Sequence, residues 1–411
     1  MAERAKEISL DMYVTANSPG EISGWVVPVL REIRAKLWQC RITLVILPCQ
    51  YASGEELSLG ARSGADRCVG LKSLSKLLSD PEEKKFDVKK RLLLHLGGDM
   101  FFSVCLSKKI GAPLWAYSPR PRWKFFVDRY FAPDDAAAER FKKAGVKPEK
   151  FHRIGNIALD SVHLIETEEE TREFLGLPSD APVLSCLTGS RPIEYTEGIR
   201  LFAAVAGMVA EKIPNLRVLF PLAPTVREDL LQTALAIAGI AWFGEARVRE
   251  IDIGGGRRAT VVRDRTLEAL NCSKLAIAVP GTNNLQAAAL YLPYIMALPL
   301  DRADEFPLDG LAGNIPLWLP GVRAIKKALI VRKNERTSFV SLPNKIARRM
   351  IAPEIRGFFE PKVVARMAIG LLESPEKLKE MSRAFWELTH ERGAAALLAG
   401  HVEKFAKEVM R

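Results

Sequence analysis

The sequence predicts an α/β protein made of two successive Rossmann-like domains. In both halves, apolar β-rich runs alternate with amphipathic helical patterns. Strands that are separated by helix-length segments pair in parallel through crossover helices, so each series predicts an open parallel sheet. The chain has 411 residues, 48% of them hydrophobic, which is enough for two cores. We expect the two domains to face each other across a cleft.

Each element of the first series follows from an apolar run or a turn. Residues 17–24 are rich in Gly, Ser and Pro and predict a turn over 18–24, before an amphipathic helix over 25–36. Near-continuous apolar runs predict strands that are covered on both faces. These strands are expected at residues 8–15, 41–48, 91–96, 114–117 and 129–132.

The second series begins after an acidic stretch and a proline-rich boundary near residues 166–182. It predicts strands at 183–187, 217–221, 274–279 and 294–298, helices at 197–212, 226–238 and 284–292, and a hairpin at 250–262. Consecutive helices follow over 361–411, broken near 374–375 and 393. The expected domains are therefore 1–165 (acceptor side), 170–355 (nucleotide-sugar side) and C-terminal helices at 356–411 that return to the first domain.

Composition narrows the class of protein. Sixty Lys and Arg against 49 Asp and Glu give a net charge of +11, which favours an anionic partner such as a membrane surface or a phosphate-bearing substrate. No run approaches the roughly 18–20 apolar residues that a spanning helix needs. Six cysteines without a C-x-x-C pair indicate thiols in a reducing cytoplasm. We therefore expect a cytoplasmic protein.

Ligands of open parallel sheets bind beyond the carboxyl ends of the strands, so the turns at those ends are the candidate sites. After the first strand, the turn that holds Gly20, Glu21, Ser23 and Gly24 offers a close backbone approach or is simply a turn. After the apolar run at 91–96, Asp99 is either a general base or the N-cap of the next helix.

Two further turns suit phosphate binding. Arg191, with Gly189 and Ser190, can hold diphosphate oxygens, or Arg191 pairs with Glu194 on the surface. The second turn leads into a predicted helix, and its small and amide side chains can bind phosphate and sugar hydroxyls, unless Asn283 and Gln286 form a capping box. Its candidate residues are Gly281, Thr282, Asn283 and Gln286.

Two metal-binding motifs are missing from the sequence, and one segment combines cationic with aromatic residues. The sequence has no D-x-D triplet and its five histidines form no H-x-x-x-H pair, so we expect a metal-free mechanism without a cofactor. Residues 119–131 interleave cations with aromatic residues, which suits an anionic lipid interface, nucleic-acid bases or, in part, a buried strand. The membrane-contact candidates are Arg120, Arg122, Trp123, Lys124 and Phe125.

Together these turns resemble the lipid-A-disaccharide synthase family of metal-independent, inverting, two-domain (GT-B) glycosyltransferases. The resemblance runs from about residue 12 to about residue 404. The series Ser341-Leu342-Pro343-Asn344 followed by Pro353-Glu354 is its most specific motif. The others, in order, are Gly20-Glu21-Ile22-Ser23-Gly24, Gly155-Asn156 with Asp160, Gly189-Ser190-Arg191-Pro192-Ile193-Glu194, and Gly281-Thr282.

The resemblance implies a role for each matching residue. Asp99 falls on the family's essential aspartate, Arg191 on the arginine at the UDP diphosphate, and Gly281 with Thr282 on the donor phosphate turn. Ser341 and Asn344 match a donor-side loop. Gln286 replaces the family's ribose-binding Glu, and Asn156-Ile157 replaces its His-Pro, so the chain is expected to be a divergent member.

The implied reaction is transfer of an acylated glucosamine from UDP to a lipid-linked sugar, in lipid A biosynthesis, on the inner face of the membrane. A divergent glycolipid transferase with another acceptor is one alternative, and a UDP-N-acetylglucosamine 2-epimerase-like enzyme is another. A non-catalytic basic protein that binds nucleic acid or lipid is the third, but the chain lacks a nucleic-acid-binding motif, so no nucleic-acid partner is expected. The family's exchange of C-terminal segments adds a homodimer to the expected partners.

Overall fold

The computed structural model describes residues 10–48, 56–79, 86–189, 192–223, 226–244, 249–301 and 322–410. The chain divides into two compact units, Met1–Ser161 with Glu391–Arg411, and Val162–His390. Each unit is a mainly parallel sheet with helices packed on it, which confirms the predicted class of two Rossmann-like α/β units.

The first unit contains a seven-stranded parallel sheet in the order β3-β2-β1-β4-β5-β6-β7. All seven residues of its first strand are buried because both faces of the sheet are covered. Met12 and Val14 pack into one core, and Tyr13 packs into the other. The strands are β1 (Leu10–Ala16), β2 (Cys40–Ile46), β3 (Arg67–Gly70), β4 (Arg91–His95), β5 (Leu114–Tyr117), β6 (Arg129–Ala132) and β7 (Phe151–Arg153).

Helices of the first unit lie on both faces of this sheet. The first helical stretch begins at Pro19, inside the predicted turn over residues 18–24, because proline suits a first helical turn and Ser18 caps it. The helices are α1 (Pro19–Glu21), continued by a π-helical turn (Ile22–Val26), α2 (Val27–Lys36), α3 (Glu56–Ala61), α4 (Leu71–Ser79), α5 (Met100–Ile110) and α6 (Asp135–Lys143). Short 3₁₀ turns span Val88–Lys90, Pro148–Lys150 and Ile157–Ser161.

The second unit contains an eight-stranded sheet in the order β10-β11-β12-β9-β8-β13-β14-β15. Its pairs are parallel except β10/β11 and β11/β12, which are antiparallel. The strands are β8 (Val183–Leu187), β9 (Arg217–Pro221), β10 (Trp242–Phe243), β11 (Arg249–Gly254), β12 (Arg257–Val262), β13 (Leu275–Ala278), β14 (Tyr294–Pro299) and β15 (Glu354–Gly357). The β11/β12 pair is the hairpin that the sequence predicts at 250–262.

The described residues of the second unit contain nine helices. They are α7 (Glu168–Phe174), α8 (Pro192–Lys212), α9 (Glu228–Ala238), α10 (Thr266–Asn271), α11 (Thr282–Ala289), α12 (Val322–Arg336), α13 (Leu342–Ala347) and α14 (Pro361–Leu372), followed by α15 (Pro375–Thr389) as a ninth element at the end of this unit. The last helix of the chain, α16 (Ala394–Val409), belongs to the first unit.

The C-terminal helices divide between the units differently from the prediction that 356–411 return to the first domain. The apolar faces of α14 and α15, which include Val364, Ala368 and Phe385, pack into the core of the second unit. Only α16 packs on the first sheet, where Leu398 and Val402 are fully buried. The return to the first unit therefore begins at Glu391.

A single aspartate fixes the start of α16. Asp160 Oδ1 accepts a hydrogen bond from the Gly393 N–H, and Oδ2 accepts one from the Ala395 N–H, each at 2.7 Å. Both oxygens thus satisfy backbone donors that a helix N-terminus leaves free. Asp160 is the last residue of the Gly155-Asn156 motif, so this part of the motif holds the C-terminal helix in place.

Substituting Asp160→Ala should therefore destabilise the first unit by about 2–3 kcal/mol, because two charge-assisted hydrogen bonds are lost. Urea unfolding measures the free energy, and hydrogen exchange should show faster exchange in α16. Glu391→Gln is the matched control: it removes an exposed ion pair with Arg153 and should change stability by less than about 0.5 kcal/mol. Equal effects of the two variants would contradict the assignment.

Candidate functional site

Each sheet has one topological switch point, where the chain leaves a central strand to build the other side of the sheet. It lies between β1 and β4 in the first unit and between β8 and β13 in the second. Ligands of open α/β sheets bind beyond the carboxyl ends of the strands at such points. The four turns selected from the sequence follow these four strands, so they form two pairs, one in each unit.

In the first unit, the Glu21 carboxylate joins the two turns. Its Oε2 accepts a hydrogen bond from the Asn17 N–H at 3.0 Å, and its Oε1 accepts one from the Gly98 N–H at 3.4 Å. Burial raises the pKa of Glu21, and these backbone donors partly offset that effect. Glu21 therefore ties the turn after β1 to the turn after β4, a contact between residues 77 positions apart.

Two glycines make room for this carboxylate. A Cβ added at Gly97 would lie 2.1 Å from Glu21 Oε2, so the carboxylate would have to move from its place. Gly98 adopts φ +84, a conformation that glycine alone adopts readily. The Gly97-Gly98 pair is thus required by the Glu21 bridge and by the backbone path towards Asp99.

The remaining residues of the first turn are engaged locally. Ser23 Oγ donates a hydrogen bond to the Pro19 carbonyl at 2.8 Å. Gly20 lies in α1, and Gly24 lies in the π-helical turn, where a Cβ would make ordinary contact with Ala158. The side chains of Glu21 and Ser23 therefore stabilise the turn, and their predicted contact with an acceptor stays a prediction.

Asp99 caps a helix, which is one of the two interpretations that the sequence left open, and it also has the exposure that the other, a general base, requires. It is the N-cap of α5, where Oδ1 accepts a hydrogen bond from the Phe101 N–H at 3.0 Å. It is also exposed at the carboxyl edge of the sheet. The cap uses Oδ1, so it fixes the orientation of the carboxylate without enclosing it.

A buried polar cluster, which the sequence did not single out, lies at the end of β4. His95 Nδ1 is 2.9 Å from Ser103 Oγ and 3.1 Å from Thr15 Oγ1, and the two hydroxyls are 2.9 Å apart. Burial lowers the pKa of His95 to about 4, so the imidazole is neutral near pH 7. The cluster links β1, β4 and α5 beneath the Asp99 turn.

In the second unit, the turn after β8 is described only in part. Gly189 adopts φ +97, and the preceding Thr188 is buried. A Cβ at Gly198 would lie 2.7 Å from the Thr188 carbonyl, so α8 packs directly against the strand end. Ser190 and Arg191 lie outside the described residues, so their predicted roles at a diphosphate stay predictions.

The turn after β13 opens onto a helix start without a side-chain cap. Gly281 is the N-cap of α11, and no side chain accepts from the first turn. The alternative of a capping box between Asn283 and Gln286 is therefore wrong, because both residues lie inside the helix. Gly281 and Thr282 are exposed. Uncapped N–H groups at such a helix start favour an anion.

Ser341 and Asn344 have buried side chains that bond within the fold. Asn344 is fully buried; its Nδ2 donates to the Ala352 carbonyl at 2.8 Å and to Glu354 Oε1 at 2.9 Å, and its Oδ1 accepts two backbone N–H groups. Ser341 is also buried, with its hydroxyl bonded to the Tyr294 hydroxyl and its N–H donating to Glu354 Oε1 at 2.9 Å. The most specific motif thus builds the connection before β15, and contact of these two residues with the donor stays a prediction.

The aromatic and cationic segment forms an exposed loop between β5 and β6. Phe125 is 86% exposed, and Trp123, at 40%, lies with its ring 5.8 Å from that of Phe101. Lys124 is 5.3 Å above the Phe125 ring. Arg120 and Arg122 are exposed on the same loop. The alternative of a buried strand holds only for β6, which begins at Arg129.

Phe101 places this surface next to Asp99, because the Phe101 N–H donates the hydrogen bond that the Asp99 carboxylate accepts. Phe126, 40% exposed, extends the surface and packs under Lys108, whose Nζ is 4.2 Å from the ring centroid. We call these four exposed aromatic residues, Phe101, Trp123, Phe125 and Phe126, the aromatic patch.

The described residues contain neither a candidate membrane span nor a candidate metal cluster. No helix there is long and apolar enough to cross a membrane. In the same parts of the chain, His, Cys, Asp and Glu side chains do not gather in threes in a way that could hold a metal ion. Metal independence stays a prediction.

The two switch points and the two mainly parallel sheets define a two-unit Rossmann-like α/β protein. The family model described as lipid-A-disaccharide synthetase matches residues 137–304. Over these residues the chain is similar to the lipid-A-disaccharide synthases, the family that its motifs resemble. This match lies mainly in the second unit and includes the turns at Gly189 and Gly281.

Curated relatives agree with this family. The lipid-A-disaccharide synthase of Paraburkholderia phytofirmans is 24% identical over 270 residues, 64% of this chain and 59% of that protein. The one of Dechloromonas aromatica is 26% identical over 259 residues, 60% of this chain and 57% of that protein. The match thus spans a little under three-fifths of the length of either relative.

A solved structure supports the fold. UDP-GlcNAc 2-epimerase from Neisseria meningitidis, bound to UDP-GlcNAc, superposes with a TM-score of 0.57 at 13% identity, over 96% of this chain and 100% of that one. At this identity the similarity concerns the arrangement of strands and helices alone.

The close contact at Gly97 predicts a double-mutant result. Gly97→Ala should destabilise the protein by about 1–3 kcal/mol, because the new Cβ displaces the Glu21 carboxylate from its two backbone donors. In a Glu21→Ala background the same substitution should cost much less. Urea unfolding of the four proteins measures both values.

Gly70→Ala is the control, since a Cβ there meets nothing within 4 Å and the φ of Gly70 is not positive. A cost for Gly97→Ala that is the same with and without Glu21 would show that the carboxylate does not occupy this position.

Proposed function

We propose that this chain is an inverting, metal-independent glycosyltransferase that moves an acylated glucosamine from UDP to a lipid-linked sugar and releases UDP. The observation that carries the proposal is the position of Asp99: an exposed carboxylate, oriented by its cap, at the switch point of the first sheet. The family match to lipid-A-disaccharide synthases supplies the substrate class. The proposal places the reaction in lipid A or related glycolipid synthesis.

The chemistry needs one base and one anion site. Asp99 accepts the proton of the acceptor hydroxyl while the oxygen of that hydroxyl attacks the anomeric carbon of the donor. The bond from that carbon to the UDP oxygen breaks, and the electron pair leaves on the diphosphate. The charge on UDP is stabilised by Arg191 and by the N–H groups of the helix start at Gly281 and Thr282.

The other donor-side residues follow from the same helix. Asn283 and Gln286 lie in the first turns of α11, half-buried, with amide groups that suit hydroxyls of the sugar or the ribose. Gln286 replaces a family Glu, so it offers the ribose one amide oxygen in place of a charged carboxylate.

Asp99→Asn should lower kcat by at least about 100-fold, because the amide cannot accept the proton. Stability should stay within about 0.5 kcal/mol, since Asn caps a helix as well as Asp does. The measurement is UDP release from a UDP-acylglucosamine with a lipid-linked sugar acceptor, in EDTA.

Asp134→Asn is the matched control, because Asp134 is the exposed N-cap of α6 and accepts from the Ala137 N–H. It should leave kcat unchanged. Isomerisation of the UDP-sugar without acceptor would instead support the 2-epimerase-like alternative. An Asp99→Asn protein with full transfer activity would overturn the assignment of the base.

We also propose that the aromatic patch and the neighbouring cations contact an anionic membrane surface, on its inner face. Exposed aromatic rings enter the headgroup layer, and Arg and Lys bind lipid phosphates. Because Phe101 adjoins Asp99, a patch that rests on lipid brings the base close to an acceptor that is presented there. The family's dimerisation stays a separate prediction.

Phe125→Asp should weaken binding to vesicles that contain phosphatidylglycerol by at least 10-fold, since an exposed ring that enters lipid contributes about 1.5–3 kcal/mol and the new charge is repelled. Vesicle sedimentation at two salt concentrations gives the binding constants. Trp38→Asp is the control, because Trp38 is 74% exposed in the same unit but lies outside the patch. Equal losses for the two variants would contradict a specific contact.

A further inference from the structure

A cavity lies in the second unit, away from the turns discussed above. It has a volume of about 390 Å³ and is lined by the segments that precede β13 and β14 and by one face of α15. Lys274 comes directly before β13, and Pro293 directly before β14, so the cavity opens at the amino edge of the sheet. The Gly189 and Gly281 turns lie at the opposite, carboxyl edge.

The walls of this cavity are fixed by contacts in the fold. The Thr389 hydroxyl of α15 donates to the Ala288 carbonyl of α11 at 3.1 Å. The rings of Tyr294 and Phe385 stack with centroids 5.3 Å apart, which holds α15 against β14. A site with walls of this kind is formed before a ligand arrives, so binding costs little reorganisation.

The lining combines an apolar floor with positive charge. Leu270, Leu292 and Leu378 are buried and form part of the floor. Lys274 and Lys379 come from different elements, are exposed and form no ion pair with another described residue. None of the lining residues is acidic.

We propose that this cavity binds a small amphiphilic anion. Its phosphate or carboxylate group is held by Lys274 and Lys379, and its apolar body lies against Leu292 and Leu378. A volume near 390 Å³ is at the lower end of the range for sites that bury a small organic molecule. The apolar floor favours such a ligand over inorganic phosphate, and the lysines favour it over a neutral amphiphile. This site is independent of the proposed transferase reaction.

The test is calorimetric titration of the full chain with octyl phosphate. The Phe125→Asp background is used throughout, so that the aromatic patch does not contribute. We expect saturable binding at one site that UDP does not displace, with at least 10-fold weaker binding of octyl glucoside and of inorganic phosphate. Lys274→Ala with Lys379→Ala should weaken octyl phosphate binding at least 10-fold.

Lys377→Ala is the matched control, because Lys377 lies on the same helix but does not line the cavity. It should bind within twofold of the parent. Binding that survives the double substitution, or that is equally strong for octyl glucoside, would overturn the proposal. Lysine-dependent binding to anionic vesicles but not to octyl phosphate would also overturn it, since it would indicate a lipid-facing surface instead of a cavity.

Discussion

The first unit depends on the half-buried carboxylate of Glu21, which joins the two turns at the switch point of its sheet. Glu21 accepts backbone N–H groups from both sides of the switch point, and burial raises its pKa. Such a group is tolerated only because the backbone donors replace water. The bridge fixes the Gly97-Gly98 turn, and that turn delivers Asp99 to the start of α5 with its carboxylate exposed. A candidate base in an open position is thus positioned by a half-buried carboxylate on a neighbouring turn.

The central strands were predictable and the edge strands were not. The sequence predicts β5, β6, β8 and β9 with the bounds that the structure shows, because their residues are apolar on both faces. The sequence misses the four edge strands of the two sheets. These are β3 and β7 in the first sheet and β10 and β15 in the second. Edge strands are short and half-buried, so charged residues and glycine are as common there as apolar ones. Helix α8 begins at Pro192, before the predicted 197, because an initial proline is easily taken for a turn.

For the candidate site, the sequence predicts positions but not the direction of side chains. Strand-end turns can be found from local patterns, and all four lie at switch points. Whether Glu21 turns inward, or Asn344 bonds to Glu354, depends on partners that lie far along the chain or across a loop. The motif Ser341-Leu342-Pro343-Asn344 is specific because a buried hydrogen-bond network tolerates few substitutions, and this constraint resembles that of a binding site when only the sequence is known. The His95 cluster gave no local signal, since Thr15, His95 and Ser103 come from three separate elements.

We propose that a UDP-sugar is held by the open helix start of α11 and by Arg191 without a divalent ion. A crystal structure of the chain with UDP, grown in EDTA, tests it most directly. We expect the diphosphate oxygens to lie within hydrogen-bond distance of the N–H groups at Gly281 and Thr282 and of the Arg191 guanidinium. UDP bound away from both, or UDP that binds only when Mg²⁺ is added and bridges it to carboxylates, would contradict the claim.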